Sequence, residues 1–192
     1  VIWYTGQFYA MSYIKTVMFV DSNQVDGLLG IALLLGTPFF VFFGWLSDKV
    51  GRKPILLAGM LIAIISDRPI YRAMYASTDT NLKTEMVDKR IASAEIKTTN
   101  AVSDSIYKVK KFYTDGTEYS ETTTVHLKDG VANITEKGDV EKHVKKTMFI
   151  TSAIKWKLVF LVFVQVLFVT MVYGPIAAFL VEMFPVKIRY TS

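Results

Sequence analysis

Charge is distributed very unevenly along this chain, and that distribution restricts its fold more than any other feature. Residues 67–157 hold 16 of the 22 lysines and arginines and 13 of the 17 aspartates and glutamates. The two flanking stretches are therefore long and almost uncharged, and the chain as a whole is 52% hydrophobic. A water-soluble domain needs polar residues on the outward side of each element, which these flanks do not supply. We expect the flanks to contact lipid.

Four apolar segments approach or reach the length that a helix needs to cross a hydrocarbon core about 30 Å thick. They cover residues 1–20, 27–46, 54–75 and 158–181. The third reaches that length only if its helix continues past Pro69. We therefore predict an all-α multi-pass membrane protein with four transmembrane helices and a small α+β insertion. Residues 1–75 would hold the first three helices, residues 76–155 the insertion, and residues 156–192 the last helix and a turn.

The insertion is rich in turn and strand signals. Leu82, Met86 and Ile91 recur at helical spacing, which predicts a helix within residues 81–99. Runs of Tyr, Thr and Val separated by Asp-Gly pairs are typical of hairpins. They predict a three-stranded meander over residues 106–113, 117–127 and 131–135.

The short loops predict the orientation. The loop at 47–53 carries Lys49, Arg52 and Lys53 against one acid, Asp48, whereas the loop at 21–26 has two acids and no base. Because short basic loops stay in the cytoplasm, the 47–53 loop should be cytoplasmic and the insertion extracytoplasmic.

The basic loop carries the most specific pattern in the chain, which reads Gly44-Trp45-Leu46-Ser47-Asp48-Lys49-Val50-Gly51-Arg52-Lys53. A glycine at its start allows two helices to approach closely, and a second glycine allows backbone angles that other residues avoid. The pattern resembles the signature loop of the major facilitator superfamily at every defined position. Those positions are Gly44, Asp48, Lys49, Gly51, Arg52 and Lys53. The resemblance implies a conformational switch; a capped, lipid-facing turn is the structural alternative.

Two further segments resemble the same superfamily. Glu182, Pro185 and Arg189 fit its Glu-x-Phe-Pro-x-x-x-Arg turn, which would be cytoplasmic here, and residues 3–9 resemble the seventh helix of the metabolite:proton symporter family. The resemblance implies helices seven to ten of twelve, and therefore a fragment whose partner is the missing N-terminal half of the same transporter. The insertion is a departure, because the connection between the implied ninth and tenth helices is usually short.

Polar residues within the first and last apolar segments are candidates for a substrate cavity, since intramembrane polar groups usually face a bundle interior. The candidates are Tyr4, Gln7, Gln165 and Tyr173. Hydrogen bonds between helices are the alternative role for the two glutamines.

The resemblance implies a secondary active transporter that moves a small polar metabolite, an organic acid or an osmolyte, by alternating access. Proton coupling and a bacterial inner membrane are implied with it. The alternative is a membrane-anchored extracytoplasmic ligand-binding or sensor protein. We expect no enzyme, no catalytic residues and no cofactor, because no catalytic set or phosphate-binding glycine loop is present. With no Cys and two His no metal site is expected, and the net charge of +5 does not indicate nucleic acid because the charges are of mixed sign.

Overall fold

The computed structural model describes residues 4–99, 102–128, 131–132 and 142–183, and the chain divides into two compact units. The helical unit comprises Val1–Val17, Ser22–Thr78 and Ser152–Ser192. The sheet unit comprises Met18–Asp21 and Asp79–Thr151.

The helical unit is organised around its last helix. Its elements are a π-helical segment Tyr4–Tyr9, α1 Ala10–Thr16, α2 Ser22–Val50, α3 Arg52–Thr78 and α4 Ser152–Met183. Helix α4 packs against both α2 and α3, which contact each other much less. In the most apolar window of each helix, 44% of α4 is buried, against 17% of α2 and 28% of α3. The core of this unit therefore lies along α4.

Helices α2, α3 and α4 are 29, 27 and 32 residues long, and each is long and apolar enough to cross a membrane. Their outward sides are apolar as well: Leu34, Val41 and Ile64 are 74%, 77% and 78% exposed. Continuous exposed apolar surface of this kind is unusual on a soluble protein. By length and composition, the part of the chain that the structure describes has three candidate membrane-spanning helices.

Each of these helices contains a proline, at Pro38, Pro69 and Pro175. A proline removes one backbone hydrogen bond from a helix, which membrane helices tolerate when neighbouring groups compensate. Helix α3 continues past Pro69 to Thr78. It therefore reaches membrane-spanning length, which its first, clearly apolar part is too short to provide.

The prediction of an all-α protein with four transmembrane helices of a major facilitator C-terminal half is wrong. The described residues form a mixed α+β structure with three candidate spans. The first apolar segment forms only the six-residue π-helical segment and the seven-residue α1. Helix α1 ends at Thr16, Phe19 then takes a positive φ of 55° that is not helical, and Val20 bridges to Met148 in the sheet unit.

The physical reason lies in the polar residues of this segment. The Thr16 hydroxyl donates to the Ser12 carbonyl, and Lys15 pairs with Asp26 at 2.7 Å. These groups sit where a spanning helix would need apolar residues.

The described residues of the sheet unit form one antiparallel sheet of five strands. They are β1 Ile91–Thr99, β2 Val102–Phe112, β3 Glu118–Lys128, β4 Val131–Ala132 and β5 Lys142–Phe149. The first three pair in sequence order, and β4 and β5 both pair with β3. Strand β5 also pairs with Met18–Asp21, because the Met148 amide donates to the Phe19 carbonyl at 2.7 Å.

The predicted helix within residues 81–99 is wrong. Two short 3₁₀ turns, Thr80–Leu82 and Val87–Lys89, precede β1, which pairs along its whole length with β2. A few apolar residues at helical spacing do not determine the structure here. Pairing with β2 satisfies the backbone N–H and C=O groups of β1 that face β2. Strands β2 and β3 lie where they were predicted, whereas β5 was not predicted. Residues 129–130 and 133–135 lie outside the described residues.

The turn between β2 and β3 is held by a small polar cluster. Gly116 has φ 79°, and the Lys83 ammonium lies 2.7 Å from an Asp115 carboxylate oxygen. The Thr117 amide donates to the other oxygen of Asp115 at 3.0 Å, and Thr117 is fully buried. Burial alone would raise the pKa of Asp115, but hydrogen bonds from Lys83 and Thr117 outweigh it and lower the pKa below its usual value.

Candidate functional site

The turn between α2 and α3 is the tightest connection in the helical unit. Gly51 takes a φ of 101°, a backbone conformation that residues with a Cβ rarely adopt. Its amide donates to the Ser47 carbonyl at 3.0 Å. Helix α3 begins at the next residue, Arg52, and Pro54 occupies its first turn, where a missing amide hydrogen costs little. The sequence thus reverses direction in a single residue and fixes Arg52 at the start of α3.

Arg52 contacts two acids from different parts of the chain. Its Nη2 lies 3.3 Å from Asp48 Oδ1, one helical turn earlier, and its Nη1 lies 2.9 Å from Glu182 Oε1 near the end of α4. The Arg52 side chain is 22% exposed, whereas Asp48 and Glu182 are 64% and 54% exposed. We call these three side chains the latch, because they join the ends of α2, α3 and α4.

The latch lies beyond a close crossing of α2 and α4. A Cβ added at Gly174 would lie 3.0 Å from the Phe40 carbonyl oxygen and 3.2 Å from the Gly44 nitrogen, both backbone atoms that cannot move aside easily. Gly44 and Gly174 therefore let the two backbones meet, as small residues do in membrane helix pairs. Pro175 follows at once and is fully buried.

Two glutamines with buried side chains carry unpartnered amide atoms. Gln165 in α4 is 2% exposed, and both its Nε2 and its Oε1 lack hydrogen-bond partners. Gln7 in the π-helical segment is 6% exposed, and its Nε2 also lacks a partner. An unpaired buried polar group costs about 1–3 kcal/mol, so such groups usually have a functional reason to persist. The π-helical segment packs against α4, and π-helical segments themselves are common at functional sites.

An aromatic cluster was not anticipated from the sequence. Tyr9 and Tyr13 stack with their ring centroids 6.2 Å apart, and Tyr71 meets both rings edge-to-face at 5.3 and 5.1 Å. Tyr71 of α3 also interacts with the Gln165 side chain, although neither amide atom of Gln165 meets hydrogen-bond geometry. The signal in the sequence was the continuation of α3 past Pro69, which carries Tyr71 into the helical unit.

The other candidate residues divide into three groups. The Lys49 ammonium lies 4.1 Å from the centroid of the Trp45 ring, and Lys53 is exposed. Tyr173 is 37% exposed on α4. Pro185 and Arg189 lie outside the described residues, as does the side chain of Tyr4.

Metal or cofactor ligands do not converge in the part of the chain that the structure describes, where no three His, Cys, Asp or Glu residues cluster. Arg52 and the two glutamines are therefore the groups with distinctive chemistry in the helical unit. Their arrangement combines a breakable ionic contact at one end of the helices with unsatisfied polar groups in the interior.

Comparison with known proteins adds no relative: no family model matches the chain, and neither a curated protein nor a solved structure matches it significantly.

Proposed function

We propose that this chain is part of a secondary active transporter that moves a small polar metabolite, an organic acid or an osmolyte, by alternating access with proton coupling. Helices α2, α3 and α4 cross the cell membrane, a bacterial inner membrane, and residues 76–155 are extracytoplasmic. The missing N-terminal half of the same transporter completes the transport path.

The observation that carries this proposal is the latch. Partly exposed ion pairs contribute about 0.2–1 kcal/mol each, so a contact such as Arg52–Glu182 can form and break within a transport cycle. A contact of that strength changes the ratio of two conformations by up to about fivefold, which makes it a bias between states and not a permanent bond. The resemblance of the surrounding turn to the major facilitator signature loop supports the same role.

The unpartnered amides of Gln7 and Gln165 support a polar substrate. An amide can both donate and accept hydrogen bonds, so it suits a carboxylate, a hydroxyl or a zwitterion equally well. The interior of the described helices offers these amides and not a buried charge. Substrate recognition by the described helices therefore rests on hydrogen bonds from these amides.

The test is proton flux in sealed vesicles that contain the full gene product and a luminal pH dye. Betaine, proline and citrate are each added outside under a proton gradient, and one of them should change the rate of luminal acidification. Replacing Asp48 with Asn should lower that rate by about tenfold while the amount of inserted protein stays constant.

Asp88→Asn is the matched control, because it makes the same chemical change at an exposed carboxylate of the sheet unit that is not part of the latch. It should retain the normal rate. If Asp48→Asn leaves the solute-dependent proton flux unchanged, or if both variants lower it equally, a specific function for the latch is excluded.

The alternative function, a membrane-anchored sensor, is favoured by one observation: the sheet unit is a compact unit of its own. Replacing residues 79–151 by a Gly/Ser linker separates the two ideas. A transporter should keep solute-dependent flux without the sheet unit, whereas a sensor should lose its ligand response.

A further inference from the structure

A cavity in the helical unit lies in the groove between α2 and α4, and neither of the two buried glutamines lines it. It has a volume of about 310 Å³ and is lined by Leu35, Phe39, Trp156, Val159, Phe160 and Phe163. The α4 residues repeat at one-turn spacing and so form a single stripe on that helix. The volume falls in the range of about 300–1,000 Å³ typical of ligand sites.

The groove is open toward the outside of the helices. Leu35, Trp156 and Phe160 are 45%, 60% and 62% exposed. Apart from the indole N–H of Trp156, the side chains that line the groove carry no polar group. A polar metabolite would lose its hydrogen bonds to water there without replacement, so the occupant must be apolar along this length.

Two lysines flank the groove at one end. Lys155 and Lys157 are the immediate neighbours of Trp156 and stand one helical turn before Val159 and Phe160. Among the described residues neither lysine has an ion-pair partner. Their long side chains can therefore hold an anion above the apolar stripe.

The position of Trp156 indicates where this end of the groove lies. Helix α4 begins at Ser152, so Trp156 is about 6 Å from the start of the helix. Tryptophan and lysine at the end of a spanning helix are typical of the membrane–water interface. The apolar part of the groove then extends from the interface into the hydrocarbon region.

We propose that this groove binds one anionic phospholipid, with an acyl chain along Phe160 and Phe163 and the phosphate held by Lys155 and Lys157. The inference rests on the membrane placement of α2 and α4 and not on transport. Such a lipid fills the space between the two helices on the side opposite the cytoplasmic latch. The positive charge of the lysines favours an anionic headgroup, and the apolar groove favours an acyl chain.

The test uses tryptophan quenching in the full chain. Trp3 and Trp45 are replaced with Phe, which leaves Trp156 as the single emitter. The protein is reconstituted in vesicles that carry the same fraction of bromine-tailed phosphatidylglycerol or bromine-tailed phosphatidylcholine. Quenching should indicate an affinity for phosphatidylglycerol that is higher by on the order of tenfold.

Lys155→Gln with Lys157→Gln should remove that preference and leave quenching by phosphatidylcholine unchanged. The matched control is Lys110→Gln with Lys145→Gln, two exposed lysines of the sheet unit, which should keep it. Equal quenching by both lipids in the parent protein would overturn the proposal, and so would loss of the preference in the control. Absence of quenching by either lipid would instead show that Trp156 is outside a bilayer, which would overturn the membrane placement too.

Discussion

Arg52 brings together two acids that lie far apart in the sequence. Its contact with Asp48 follows from helical spacing and is visible in the printed sequence, whereas its contact with Glu182 depends on how α3 and α4 pack. The same limit applies to Gln7 and Gln165. Their polarity marks them as candidates, but only packing shows that their amides are buried without partners.

A second residue-scale feature, the Asp115 cluster, leads to a prediction about pH. Burial raises the pKa of Asp115, but hydrogen bonds from Lys83 and Thr117 outweigh it and hold the folded pKa below its ordinary value of 3.8. Its contribution to stability is therefore present above that value and is lost as the pH falls through the folded pKa. Circular dichroism of the β-sheet signal should show thermal unfolding at lower temperature below about pH 4.

Replacing Asp115 with Asn should reproduce this loss at neutral pH, by about 1 kcal/mol after allowance for partial exposure. Glu95→Gln is the control, because its pair with Lys108 is exposed on both sides. An Asp115→Asn protein with parent stability would show that the cluster does not stabilise the turn.

At the scale of elements, the sequence predicted the helices α2, α3 and α4 because long uncharged runs have few alternatives. It failed for residues 1–20, where polar residues at one-turn spacing interrupt the apolar run. It failed again for β1 and β5. Strand β5, KHVKKTMF, is mostly charged and polar, and it becomes a strand because β3 offers it a free edge. Such pairing depends on distant residues, which a local pattern does not contain.

The crossing of α2 and α4 gives the element-scale prediction. Gly174→Ala would place a Cβ against backbone atoms of α2 and should lower stability by about 1–3 kcal/mol. Thermal unfolding in detergent measures the change.

Gly30→Ala is the matched control, because a Cβ at Gly30 meets nothing within 4 Å. That substitution should be neutral or stabilising by up to about 1 kcal/mol, since alanine favours the helix. Equal effects of the two substitutions would contradict a close backbone crossing at Gly174.

At the scale of the whole molecule, composition predicted the separation of apolar and charged regions, and the chain does divide into a helical unit and a sheet unit. The number of spans was not predictable from hydropathy alone, because the first apolar segment supplies strand pairing at Val20 instead of a fourth span. The proposed transport cycle requires the latch to open and close.

The most direct test is a distance measurement across the latch. The chain has no cysteine, so the substitutions Lys53→Cys and Met183→Cys supply the two labelling sites. Both residues are exposed and lie next to the latch. In vesicles we expect two populations, one with a short and one with a longer distance between the labels. Arg52→Gln should increase the population with the longer distance. Arg68→Gln, at an exposed arginine of α3 outside the latch, should leave it unchanged. An identical distribution in the parent protein and Arg52→Gln would contradict a latch that opens and closes during transport.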